Sequence, residues 1–147
     1  MNDILIVIYV MLIYVAIAFW EAYVEGRNAW DKNKYGWKIN FKTGFLSRPL
    51  TAYHFWCWLI MIPMFLMLPL VIYGWDKHLF WLLFSCWFLG AVLEDFLWFV
   101  VNPEVSIKEF NEKDCKWHYW IGFGKYKVPE IYILWPIVAI LIWIFLL

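Results

Sequence analysis

The sequence predicts an all-α integral membrane protein, a single bundle of four transmembrane helices with both termini outside and two long cytoplasmic loops. Three observations predict it. Hydrophobic residues make up 65% of the chain and aromatic residues 24%, whereas soluble domains are about 45–50% apolar. Four stretches reach the roughly 20 mostly apolar residues that a helix needs to cross a bilayer: Ile4–Val24, Pro49–Tyr73, Leu79–Val101 and Val128–Leu147. Eleven of the 12 Lys and Arg residues fall in the two long loops between these stretches.

The first span is almost continuously apolar from Ile4 to Phe19, which excludes the alternating strands of a membrane barrel. Ala16-Ile17-Ala18 has the form of a signal-peptidase site, but no positive segment precedes it, so an uncleaved span is expected. The loop that follows carries Arg27, Lys32, Lys34, Lys38, Lys42 and Arg48. Its Lys residues are interleaved with aromatics, as suits an anionic interface. Lys38 to Thr43 alternates like a short strand. Gly74-Trp75-Asp76-Lys77 is a tight turn that makes the second and third spans an antiparallel hairpin. Pro63, Pro69 and Pro136 lie inside spans and predict kinks. The loop before the fourth span carries Lys108, Lys113, Lys116, Lys125 and Lys127. Ser106-x-x-Glu109 within it has the capping-box form and predicts a short surface helix to about Cys115. Positive charge marks the cytoplasmic side, so both loops are placed there. Most of the 13 Trp residues then fall at the two interfaces as aromatic belts.

The net charge is zero, so no global field points to a nucleic-acid partner. Cys57, Cys86 and Cys115 form no CxxC pair and no disulfide framework. Function must therefore be sought in the placement of polar residues. Glu94 lies seven residues before Val101, roughly 10 Å inside that end of the third span. Ending the span at Leu93 would leave about 22 Å of helix for a core of roughly 30 Å. Glu94 and Asp95 are thus expected within the membrane, on its cytoplasmic side.

Other titratable residues fall at the same level. Glu21 and Glu25 are four apart and share a face, extended by Tyr14, Ala18 and Asn28. His54 enters the second span and Glu130 opens the fourth, while His118 sits in the aromatic run KWHYW. His78 lies at the opposite end. Each span thus brings at least one titratable group toward a common level, where such groups usually face a bundle interior or a water-filled cavity. Adjacent helical residues differ by about 100°, so Glu94, which shares a face with Gly90, is the central candidate and Asp95 its support.

Four chemistries fit. A divalent metal held by Glu21, Glu25, Glu94, His54 and His118 would activate water against a lipid ester or phosphate, although the Glu-x-x-His pair of di-iron bundles is absent. A metal-free site would use Glu94, Asp95, His54 and His118 as catalytic acids and bases, because burial favours a protonated carboxyl. An acid–imidazole chain would carry protons across the membrane. A structural or accessory subunit would use the same acids in buried pairs, with a second copy of the chain or a larger membrane partner. Ile121-Gly-Phe-Gly-Lys125 is similar to a potassium-channel filter, but Trp120 replaces the Thr, Lys125 adds a positive charge and no pore helix precedes it. The two glycines are expected to serve a tight bend.

The segment Leu93–Phe99, LEDFLWF, resembles the paired-acid segment of the small membrane-embedded carotenoid (lycopene) cyclases, a Pro-x-Glu-Glu pattern followed by Leu and aromatics. Trp20–Trp30 is similar to their Trp-Asp and later Trp. Val92 stands for the Pro, Asp95 for the second Glu and Glu21 for the Asp, and a further span separates the segments. The resemblance implies proton-initiated cyclisation or isomerisation of an isoprenoid, with Glu94 and Asp95 as the acids. Membrane lipids are the expected surroundings, and a lipid, amphiphile or isoprenoid is the expected substrate.

Overall fold

A computed structural model describes residues 2–27, 36–40 and 49–147. The chain is mostly helical. α1 (Asp3–Glu25), α2 (Ala52–Tyr73) and α3 (Lys77–Val101) are each long and apolar enough to cross a membrane. α4 (Ile131–Phe145) is shorter, at 15 residues, and spans about 22 Å. The expected stretch began at Val128, but Val128 and Pro129 belong to a strand, and Pro129 ends that strand at the helix entrance. The lysines of the first loop between 28 and 35 and between 41 and 48, with Asn28 and Trp30, lie outside the described residues.

α1, α2 and α3 start where the sequence offers a cap, whereas α4 has no side-chain cap at Glu130. The side chains of Asn2, Thr51 and Asp76 accept hydrogen bonds from the backbone N–H of Leu5, His54 and Leu79, which satisfies donors that a helix start leaves open. α1 ends at Gly26, whose φ of +57° suits glycine. α3 ends before Asn102-Pro103, and the Asn102 side chain ties the two ends together. Its Nδ2 donates to Gly26 O (3.1 Å), while its Oδ1 accepts from Glu104 N and Val105 N.

α2 contains seven residues of π-helix, Phe55–Met61. Pro63 follows closely and removes one backbone donor. A proline ring also crowds the carbonyl four residues back, and the wider π turn relieves that crowding. The predicted kink region is therefore a change of helical register.

Two antiparallel ribbons lie in the loops. β1 (Lys38–Asn40) pairs with β2 (Pro49–Thr51), on the stretch whose alternation read as a strand. β3 (Trp120–Phe123) pairs with β4 (Tyr126–Pro129). Gly124, at φ +60°, occupies the first turn position between them, where a two-residue turn favours glycine. The capping box at Ser106 forms as read, but it opens only a single 3₁₀ turn, Ile107–Glu109.

α3 is the hub and packs against α1, α2 and α4. Gly90 permits the tightest approach: a Cβ built there would lie 2.0 Å from the Tyr14 ring. Tyr14 is fully buried and packs with Val10, Cys57, Leu83 and Cys86. A second core at the other level joins Ala22, Trp98, Phe99, Val105 and Cys115. Large apolar side chains on the outer faces of α1, α2 and α4 remain exposed.

Candidate functional site

The up-and-down chain path brings the end of α1, the start of α2, the end of α3 and the start of α4 to one end of the molecule. The buried acids Glu21, Glu25, Glu94 and Glu130 are all on these helix ends. On α1, Tyr14, Ala18, Glu21 and Glu25 form one buried stripe.

Glu21 and Glu94 face each other between α1 and α3, each 4% exposed. Their carboxyl groups lie close enough to interact electrostatically. Two enclosed carboxylates repel each other, so such a pair favours holding one proton between them. Glu21 Oε1 also accepts from Tyr53 Oη (2.8 Å) and Trp58 Nε1 (3.0 Å), both on α2. The π segment includes Trp58 and begins two residues after Tyr53. Apart from its approach to Glu21, Glu94 Oε1 has no partner among the described residues.

The remaining candidates form two further groups. Glu25 lies 3.6 Å from His54 Nε2, and the other ring nitrogen, Nδ1, is 2.6 Å from Thr51 Oγ1. Asp95 points away from Glu94, toward α4 and the second loop. Its Oδ2 accepts from Tyr132 Oη (2.6 Å) and lies 3.4 Å from His118 Nε2. The His118 side chain is fully covered, within reach of Phe110, Trp117 and Trp120. Glu130 is buried at the start of α4, with no partner for Oε2 among the described residues. His78 pairs with Asp3 at the opposite end (2.8 Å).

Glu21, Glu25, Glu94, His54 and His118 are therefore divided among three groups. Among the described residues no three His, Cys, Asp or Glu side chains are arranged to hold a metal ion. Cys115 and His118 meet through the backbone, His118 N donating to Cys115 O (3.3 Å). The Cys115 thiol donates to Glu109 O, and burial pushes its pKa up to about 11.

A groove of about 780 Å³ opens on the outer side of α2, lined by Trp20, Tyr53, Trp56, Cys57, Met64 and Leu68 among others. Ligand pockets run to about 300–1,000 Å³. Tyr53 belongs to both places, lining the groove and donating its hydroxyl to Glu21. Cys57 also lines that wall.

Tyr53, Trp58, Thr51 and Tyr132 were not singled out from the sequence. Tyr53 adjoins His54 and Tyr132 follows Glu130 by two, so adjacency to a candidate was the available signal. The chain matches no family model, no curated protein and no solved structure. The cyclase resemblance at Leu93–Phe99 therefore stays local.

Proposed function

We propose that this chain is a small integral membrane enzyme that moves protons onto and off an unsaturated, isoprenoid-like lipid held in the groove. Its fold in the bilayer is four spans with both termini outside, and the two long loops face the cytoplasm. The observation that carries the reading is the buried Glu21–Glu94 pair, joined through Tyr53 to an apolar groove.

A proton shared by two carboxyls in an apolar interior is a proton store. When Glu21 holds it, the Tyr53 hydroxyl accepts from Glu21 and hands its own proton onward, since a phenol both donates and accepts. Protonation of a C=C bond in the groove forms a C–H bond and leaves a carbocation. Trp20, Tyr53 and Trp56 line that space, and aromatic rings favour a nearby positive charge. Return of a proton from the adjacent carbon to the carboxylate pair re-forms a double bond, shifted or closed into a ring. The net reaction is an isomerisation that needs no oxidant or reductant.

The test uses the purified protein in nanodiscs, with squalene and a mixed polyprenol extract as probes, in D₂O. Wild type incorporates deuterium at carbon, read by mass spectrometry. Glu94→Gln, which keeps the shape but cannot store the proton, loses at least about a hundredfold in rate, and Tyr53→Phe falls with it. Absence of label from both probes with wild type would overturn the reading.

A further inference from the structure

Tyr53 and Trp58 donate to the same atom, Glu21 Oε1, at 2.8 and 3.0 Å. They are five residues apart on α2. Neighbours in an α-helix turn by about 100°, so residues five apart point about 140° away from each other. Two side chains so arranged do not close on one atom of a neighbouring helix. The π segment Phe55–Met61 changes that geometry. A π turn closes from residue i to i+5, so residues five apart return to the same face. The bond from Ile62 N to Cys57 O is one such closure. Both ends of the segment are pinned. Thr51 caps the start of α2 and pairs in the β1–β2 ribbon, and Ile62 and Leu66 are buried in the core. Trp58 also stacks on the buried Tyr14 ring of α1, 6.1 Å between centroids. The extra residue of the π turn is thus taken up between two fixed ends, beside Glu21.

We propose that the π turn of α2 is the positioning element of this site: its one extra residue brings Tyr53 and Trp58 together on Glu21, and ordinary α-helix would present only one of them. Its bearing on turnover rests on the proton-transfer reading above, whereas its geometry does not. The two donors have different duties. An indole N–H only donates, so Trp58 steadies Glu21 without exchanging a proton. A phenol both donates and accepts, so Tyr53, which also lines the groove, is left as the exchanging group. The π turn acts through Glu21 and touches no reacting atom.

Two single-residue deletions separate register from packing. Each removes the extra residue, returns α2 to α-helix and keeps the turns beyond it in phase. Without Phe55, Tyr53 and Trp58 are four apart, about 40° in an α-helix, and both reach Glu21. Without Leu59 they stay five apart and Trp58 turns away. Phe55 and Leu59 lie outside the groove lining. The contact is read in detergent as the non-additivity of Glu21→Leu and Trp58→Phe in thermal midpoint. Wild type and the Phe55 deletion are expected to show it, and the Leu59 deletion to show none. Deletion of Trp56 gives the same four-residue spacing and serves as a second variant for this readout. In deuterium labelling of squalene and polyprenols in D₂O, the Leu59 deletion lowers kcat at least about tenfold, and the Phe55 deletion keeps it. A merely structural role for the segment would lower both deletions alike. Non-additivity in the Leu59 deletion equal to wild type, or its loss from the Phe55 and Trp56 deletions alike, overturns the proposal while leaving the acid pair in place. Absence of labelling by wild type removes the proton-transfer reading instead and leaves the register test standing.

Discussion

At the residue scale, the most constrained contact is Gly90 against Tyr14. A Cβ at position 90 would sit 2.0 Å from the ring, and the fully buried ring has no free space to retreat into. Gly90→Ala is expected to cost about 1–3 kcal/mol through overpacking, read as a drop in thermal midpoint in detergent. Tyr14→Phe is the contrasting case. Tyr14 Oη has no hydrogen-bond partner among the described residues, and removing an unsatisfied buried hydroxyl is neutral or stabilising. A marked loss of stability in Tyr14→Phe would show that this hydroxyl is held by a group such as an internal water. Glu94 and Asp95 show what was readable at this scale. The helical offset of about 100° between neighbours predicts two directions. The structure gives Glu94 the α1 side and Asp95 the α4 side. The partners were not readable. In a chain with 9 Tyr and 13 Trp, a phenol or indole that holds an acid has the same letter as one in an interfacial belt.

At the element scale, caps made the helix starts legible to within a few residues. Pro49 looked like the start of the second span because the apolar run begins there, yet Thr51 supplies the cap and Pro49–Thr51 pairs as a strand. Hydropathy cannot separate an apolar strand from the apolar helix that follows it. The π segment was equally hidden, since its residues are ordinary apolar ones and only Pro63 beyond it marks the place. Asn102 links elements by joining the ends of α1 and α3. Arg27 adds to it, donating from its backbone to Glu104 and from its side chain to Glu109. The guanidinium holds the Glu109 carboxyl below its usual range, although both groups are too exposed for this to weigh much. Asn102→Ala removes one donor bond and two acceptor bonds. It is expected to cost about 2 kcal/mol and to raise amide exchange at the last turn of α1, measured by hydrogen–deuterium exchange.

At the scale of the whole molecule, the positive charge in two loops and the alternating path of the helices are one statement made twice. Among the described residues, Arg27, Lys38 and the five Lys residues of the second loop sit at the end of the molecule where the buried acids gather. On the proposed four-span topology, the positive-inside rule puts that end, and the acid pair with it, in the cytoplasmic leaflet. The same topology puts the short turn with Trp75 on the other side. α4 is the element that tests the assignment most sharply, because its 15 residues reach only about 22 Å across a core of roughly 30 Å. A short helix is accommodated by local thinning of the bilayer, which would bring the buried acids nearer to water on the loop side. The native Cys57, Cys86 and Cys115 are all buried, so introduced thiols can be read over a low background. With a membrane-impermeant maleimide on intact cells, Trp75→Cys and Leu147→Cys are expected to react. Lys113→Cys is expected to react only after permeabilisation. Labelling of Lys113→Cys on intact cells with protection of Trp75→Cys would invert the molecule and place the acids in the outer leaflet. Protection of Leu147→Cys alone would make α4 a re-entrant helix, leaving the acid pair on a three-span frame.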